Sequence, residues 1–156
     1  MGGPALTQDL VIIGSSDGNL YALNINDGSS VWKFSTGNRI WSTPVIVDGV
    51  VYFGSLDQNV YAVTVDEGKE LWRFPAKGGV VGTPVIADGK LYIGSFASVF
   101  YSIDIKTGEL SWKFDEAKSW FWGGGIVNSD RVYVPSLDGR VSVSYTHLTL
   151  PTNREV

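Results

Sequence analysis

Cysteine is absent from this sequence, and histidine and methionine occur once each. Without cysteine the chain has no disulfide bond, no thiolate nucleophile and no cysteine-ligated metal. The lone histidine, His147, lies in a C-terminal segment of atypical sequence and is a poor candidate for acid–base catalysis. No apolar run reaches the roughly 18 residues of a membrane-spanning helix, and no window has a helical period. These absences predict an essentially all-β chain with no direct membrane insertion.

Charged residues are few and scattered along the chain. Twelve lysines and arginines against sixteen aspartates and glutamates give a formal net charge of −4. An acidic balance argues against a nucleic-acid-binding surface, and the scattered cations argue against a polybasic membrane patch. We therefore expect no nucleic-acid partner.

Aromatic residues and glycines are abundant and recur at a constant spacing. The chain contains 6 Trp, 7 Tyr, 7 Phe and 19 Gly. Four sets of residues keep a step of 40: Trp32, Trp72 and Trp112; Gly14, Gly54 and Gly94; Tyr21, Tyr61 and Tyr101; and Gly28, Gly68 and Gly108. A period of about 40 to 45 residues built from short β-type runs is typical of a propeller blade.

The segment 43–74 shows how one repeat is built. Turn signals, of which Asp48–Gly49 is the clearest, separate four β-type runs at residues 43–47, 50–55, 59–65 and 70–74. Four short strands joined as hairpins form a four-stranded antiparallel meander. The sequence thus predicts one such sheet per repeat.

The predicted fold is an all-β propeller fragment of about three and a half four-stranded antiparallel blades. We divide it into a leader (1–8), a partial blade (9–34), two blades (43–74 and 83–114), a partial blade (124–144) and a tail (145–156). The tail lacks the expected turn and tryptophan, and we interpret it as foreign read-through sequence. An open arc exposes two apolar blade faces, which predicts self-association.

We expect the natural N-terminus, with any signal sequence, to lie upstream of this chain. The first blade is predicted to begin in its second strand, near Leu10. Met1-Gly2-Gly3-Pro4 has neither a basic nor an apolar signal-peptide region.

Residues 62–72 resemble the tryptophan-docking motif of pyrroloquinoline quinone (PQQ) repeat propellers, Ala-x-Asp-x-x-x-Gly-Lys-x-x-Trp. Ala62, Gly68, Lys69 and Trp72 match this motif, and Thr64 replaces its aspartate. Residues 102–112 and 22–32 carry two further imperfect copies, so the resemblance covers roughly residues 9–141. It implies that neighbouring blades dock through Trp32, Trp72, Trp112, Gly28, Gly68 and Gly108.

This superfamily includes non-enzymatic BamB-like envelope scaffolds, quinoprotein alcohol dehydrogenases that bind PQQ and calcium, and sensor domains. The docking motif is common to all of them, so it indicates blade packing and not cofactor binding. The dehydrogenases carry a cysteine pair over PQQ, which this chain lacks, and no stretch maps to their calcium ligands. The resemblance therefore favours a non-enzymatic scaffold that binds protein partners in the bacterial periplasm or cell envelope, with no cofactor. The alternatives are a fragment of a PQQ-dependent dehydrogenase that oxidises alcohols or sugars, and the sensor domain of a membrane protein kinase.

Two sets of loops are predicted to meet at one rim: those before each blade's first strand, and those between its second and third strands. By resemblance this rim binds ligands or partners. Its candidate surface comprises Arg39, Trp41, Lys77, Phe96, Lys118, Trp120, Phe121 and Trp122.

Three features of this rim each allow two interpretations. The segment 118–125 departs most from the repeat, and its rings either anchor a peptide, sugar or planar ligand or fill a blade interface or channel wall. Arg39 and Trp41 form either a cation–π pair or a solvated arginine beside a packed ring. The aspartates at one repeat position either bind a cation or, as turn chemistry favours, stabilise tight turns: Asp17, Asp57 and Asp138.

Overall fold

The computed structural model describes residues 2–146 and 154–155, which form four consecutive antiparallel sheets of four strands each. The first sheet contains β1 (Ala5–Leu6), β2 (Leu10–Gly14), β3 (Asn19–Asn24) and β4 (Ser30–Ser35). The second contains β5 (Val45–Val47), β6 (Val50–Gly54), β7 (Asn59–Thr64) and β8 (Glu70–Pro75). The third contains β9 (Val85–Ala87), β10 (Lys90–Gly94), β11 (Phe100–Asp104) and β12 (Leu110–Phe114). The fourth contains β13 (Ile126–Asn128), β14 (Arg131–Pro135), β15 (Val141–Tyr145) and β16 (Arg154–Glu155).

Each sheet is a meander whose strands pair in chain order, which confirms the predicted all-β propeller class. In the first three sheets the fourth strand (β4, β8 or β12) carries a tryptophan and pairs with the third strand in the same register. The equivalent pairs are Ala22 and Trp32, Ala62 and Trp72, and Ser102 and Trp112. The register shifts immediately after each of these pairs. The sequence repeat is therefore a repeat of structure down to a shared β-bulge.

The turns that join β5 to β6 and β9 to β10 have the backbone conformation that an Asp-Gly pair favours. Asp48 and Gly49 have φ angles of 50° and 75°, and Asp88 and Gly89 have 49° and 71°. Two successive positive φ angles are characteristic of a type I′ turn, which matches the twist of the strands that it joins. The Asp-Gly pairs therefore determine where β5 and β9 turn into β6 and β10.

The hydrophobic core consists of three clusters, and each lies at a seam between successive sheets. At the first seam, Trp32 Nε1 donates to Val65 O at 2.8 Å, and the indole covers Gly68, where a Cβ would lie 2.5 Å from the ring. At the second, Trp72 Nε1 donates to Ile105 O at 2.9 Å. Each indole thus crosses from its own sheet to the next one along the chain.

Among the described residues, Gly28 in the first sheet and Trp112 at the last seam lack docking contacts that their repeat equivalents make. A Cβ on Gly28 would meet nothing within 4 Å, although Gly68 and Gly108 each contact an indole. Within the described residues, the buried Trp112 Nε1 has no hydrogen-bond acceptor. In the fourth sheet Arg154 faces Val143, at the position where the other sheets carry tryptophan. The last sheet therefore supplies no docking tryptophan.

Two strands lie outside the predicted blade boundaries, so the described chain has four sheets where the sequence predicts three and a half. The leader predicted for residues 1–8 contains β1, whose Ala5 pairs with Ile12. A two-residue strand is too short to show a period, although Pro4 precedes Pro44 and Pro84 at the same step of 40. The tail contributes β16, while His147 and the rest of 147–153 and 156 lie outside the described residues. Whether the tail is foreign stays a prediction.

The expected self-association also remains a prediction, and apolar exposure at both ends is consistent with it. Leu6 in the first sheet is 63% exposed and Ile126 in the last is 66% exposed. Among the residues that the structure describes, no helical segment could span a membrane.

We expect one ion pair to make stability pH-dependent. Lys90 Nζ lies 2.9 Å from Asp104 Oδ2, and the amides of Lys106 and Thr107 donate to Asp104 Oδ1. The Lys90 ammonium, and then these amides, lower the pKa of Asp104 from 3.8 to about 2. A carboxylate with a lowered folded pKa adds stability above its unfolded pKa and loses it as the pH falls through the folded value. In urea unfolding, wild type should therefore exceed Asp104→Asn at pH 7 by a margin that shrinks between pH 4 and pH 2. A constant margin would contradict this assignment.

Candidate binding rim

Each loop that precedes the first strand of a blade (β5, β9 or β13) is hydrogen-bonded to two hairpin loops. These join the second and third strands of its own blade and of the preceding blade. Three amides of the hairpin loops donate to these loops at equivalent positions: Leu56 to Arg39 O, Phe96 to Gly79 O, and Leu137 to Trp120 O. Three amides of the loops donate back to the preceding hairpin: Ile40 to Ser15 O, Val80 to Ser55 O, and Phe121 to Ser95 O. Both sets of loops therefore lie on one rim, held in a repeated backbone geometry.

Phe121 does not belong to the exposed rim surface, which corrects the sequence-based candidate set. It is 0% exposed and occupies the repeat position of Ile40 and Val80, which are 1% and 0% exposed. A Cβ on Gly94 would lie 2.2 Å from Phe121, just as one on Gly54 would lie 2.3 Å from Val80. The extra residue in this loop shifts the register by one, so the middle ring of Trp120-Phe121-Trp122 becomes the seam residue.

The two tryptophans that flank Phe121 form an exposed aromatic cluster with Phe96. The Phe96 ring centroid lies 5.3 Å from Trp120 at 36° and 5.3 Å from Trp122 at 28°. Trp120 is 51% exposed and Trp122 is 50% exposed. Phe96 thus supports two indoles, half of whose surface faces solvent.

The cations of the candidate set lie on successive loops of the same rim. The Arg39 guanidinium carbon lies 5.9 Å from the centroid of Trp41, whose Nε1 donates to Ser16 Oγ at 3.1 Å. Lys77 and Lys118 are exposed, and the Lys77 backbone amide donates to Tyr101 Oη at 2.7 Å. Both cationic and aromatic groups are therefore exposed at this rim.

The carboxylates of Asp17 and Asp57 are hydrogen-bonded within the protein, and Asp57 Oδ2 also accepts from the amide of Gly37 on the preceding loop at 2.8 Å. Asp17 Oδ2 and Asp57 Oδ2 each accept from a tyrosine hydroxyl at 2.7 Å, and their Oδ1 atoms accept from turn amides at 3.0 Å. The Tyr21 hydroxyl, followed by Ser15, lowers the pKa of Asp17 to about 2. Over the described residues, no three acidic or histidine side chains converge to hold a metal. These contacts support the turn interpretation of the aspartates.

Next to the aromatic cluster is a cavity of about 170 Å³, which sequence reasoning missed. Its lining comes from the same short segment of each of the four blades, just before the innermost strand: Gly2, Trp41, Thr43, Val81, Thr83, Trp122, Gly123 and Gly124. Trp41, Val81 and Trp122 occupy one repeat position, directly after the seam residues. The step of 40 from Trp41 to Val81 and from Thr43 to Thr83 is the sequence signal by which these lining residues could have been found.

Four interlocked four-stranded sheets define this chain as part of a β-propeller of the PQQ-like repeat class. The family model of the outer membrane protein assembly factor BamB matches residues 1–76 and 17–146, and the chain therefore belongs to that family. No curated protein sequence matches the chain.

Solved structures share the fold at low sequence identity. BamB from Moraxella catarrhalis matches with a TM-score of 0.80 and 22% identity, over 96% of this chain and 52% of that one. The computationally designed Ika4 protein matches at 0.83 and 20%, over 93% and 90%. A quinohemoprotein alcohol dehydrogenase from Comamonas testosteroni matches at 0.80 and 14%, over 99% and 34%. The chain thus spans 52% of the Moraxella protein and 34% of the dehydrogenase.

Proposed function

We propose that this chain is part of a non-enzymatic propeller scaffold that binds protein partners in the bacterial envelope through its rim. The observation that carries the proposal is the exposed aromatic cluster of Phe96, Trp120 and Trp122. Tryptophan is enriched among residues that dominate interface energies, because a large ring buries much area and loses little conformational entropy. Membership of the BamB family supports the envelope location and the scaffold role.

The geometry of the cluster favours a preformed docking site. Trp120 accepts a backbone hydrogen bond from Leu137, and the ring of Trp122 stacks on Phe96. Rings that are already held in place lose less freedom on binding, so more of the contact energy appears as affinity. The exposed Lys77 and Lys118 on neighbouring loops add polar contacts of the kind found around apolar interface centres.

Site-specific photocrosslinking tests this proposal. The chain is exported to the periplasm of a Gram-negative host with a benzoylphenylalanine in place of Trp120, or in place of Leu71 as a matched control. Leu71 is 52% exposed, close to the 51% of Trp120, but lies on the outer strand β8. We expect one discrete envelope protein to be attached from position 120 and not from position 71. Phe96→Ala removes the ring that packs against position 120, and it should lower the yield of that adduct severalfold.

Equal labelling from both positions, or none from position 120, would contradict the scaffold proposal. The dehydrogenase alternative has its own test, in which the chain is supplied with PQQ and calcium and assayed for dye-linked alcohol oxidation. We expect no oxidation above the cofactor-only control, since the proposal assigns no cofactor to this chain. Oxidation that depends on the chain would favour the alternative.

A further inference from the structure

The residues that line the cavity beside the aromatic cluster differ in side-chain size at one repeat position. Trp41 and Trp122 line it at this position, whereas the equivalent residue of the intervening blade is Val81. The residues that directly follow these three along the chain are small: Ser42, Gly82 and Gly123. A Cβ on Gly82 would lie 3.0 Å from Gly123 O. Because two positions carry large rings and one carries a small side chain, space for a further ring remains between successive blades.

The size and chemistry of this space suit an aromatic ring with a polar tip. A cavity of about 150 Å³ can hold a benzene molecule, and this one has about 170 Å³. Thr43 Oγ1 already accepts from the amide of Gly3. Thr83 lines the same cavity, and among the described residues no hydrogen bond involves its Oγ1, so the cavity offers one unused hydroxyl.

We propose that this cavity receives the phenol ring of a tyrosine presented by an extended segment of the protein partner. The proposal rests on the rim-binding function above and names the residue that enters it. The indoles of Trp41 and Trp122 contact the ring of the tyrosine, and the hydroxyl of Thr83 bonds its phenol oxygen. The aromatic cluster, which shares Trp122 with the cavity, binds the flanking part of the same segment.

Two capped tripeptides, acetyl-Gly-Tyr-Gly-amide and its phenylalanine counterpart, provide the probe. Titration is followed by the indole N–H resonances of Trp41 and Trp122 in NMR spectra of the full chain. The tyrosine peptide should bind saturably with a dissociation constant on the order of 1 mM. The phenylalanine peptide should bind about fivefold more weakly, because it makes no hydrogen bond to Thr83.

Two variants make the assignment specific. Val81→Trp places a third indole at the repeat position that already carries Trp41 and Trp122, and it should reduce tyrosine-peptide binding at least tenfold by filling the cavity. The control Leu71→Trp adds an indole to the exposed outer strand and should leave binding unchanged. Thr83→Val keeps the side-chain shape and should abolish the preference for tyrosine over phenylalanine.

Undiminished binding by a folded Val81→Trp variant would overturn the proposal, as would equal binding of both peptides by the wild type. Failure of this inference is distinguishable from failure of the rim function. If the photocrosslinked adduct from position 120 persists in Val81→Trp at the wild-type yield, partners dock on the rim without using the cavity, and only the tyrosine assignment is lost. If position 120 yields no adduct even in the wild type, the rim function itself is lost.

Discussion

Trp72→Ala should lower the free energy of unfolding by about 3 kcal/mol, the lower end of the range for truncating a large buried aromatic, because Trp72 is partly buried. The Trp72 indole spans the seam between the second and third sheets. Its Nε1 donates to Ile105 O at 2.9 Å, its ring covers Gly108, and the Tyr52 ring centroid lies 5.9 Å away. Truncation removes the packing and leaves the Ile105 carbonyl without this donor. Urea unfolding followed by fluorescence and by circular dichroism gives the difference.

Trp112→Ala provides the comparison for this prediction. Trp112 has the same strand position and a similar ring contact, with Tyr92 at 5.9 Å, but its Nε1 has no acceptor in the described part of the chain. Its truncation should therefore cost about 1 kcal/mol less, the net worth of one hydrogen bond. Equal losses for the two variants would show that the indole hydrogen bond adds nothing to the seam.

The repeat could be recognised in the sequence because every blade packs against its neighbour through equivalent contacts. Gly54 must lie against Val80, and Gly68 against Trp32, so the same residue types recur at the same step. Interactions that depend on this repetition, such as the four-stranded meanders and the Asp-Gly turns, were predictable. The strand β1 was missed because two residues carry no period, and Pro4 was the remaining signal.

The candidate site was predictable in outline and not in detail. The rim location of Trp120 and Trp122 followed from the repeat, but the role of Phe121 depended on how one inserted residue is absorbed. The backbone resolves this by keeping the hydrogen bond to Ser95 O at Phe121, which buries that ring and exposes its neighbours. The volume of the cavity was not predictable, because it depends on how the four blades converge and not on any one loop.

Gly68→Ala should destabilise the protein by about 2–4 kcal/mol, whereas Gly28→Ala should cost only about 1 kcal/mol. Both glycines have a positive φ, 65° and 71°, so alanine incurs the same backbone strain at both, about 1 kcal/mol. They differ in what the new Cβ meets. At Gly68 it would lie 2.5 Å from the Trp32 ring, and at Gly28 it would meet nothing within 4 Å. Overpacking of a filled site adds about 1–3 kcal/mol.

The difference between these two variants isolates the docking contact, because the turn, the residue change and the strain are shared. Urea midpoints at constant m-value measure it directly, and the tryptophan emission of the folded protein should change in Gly68→Ala alone, because its new Cβ meets the Trp32 ring. Equal destabilisation would mean that glycine is needed at this position for its φ angle and not for the indole. A larger loss at Gly28 would mean that its open face is covered in solution, as self-association of the open arc would require, since the added methyl would then meet a second copy.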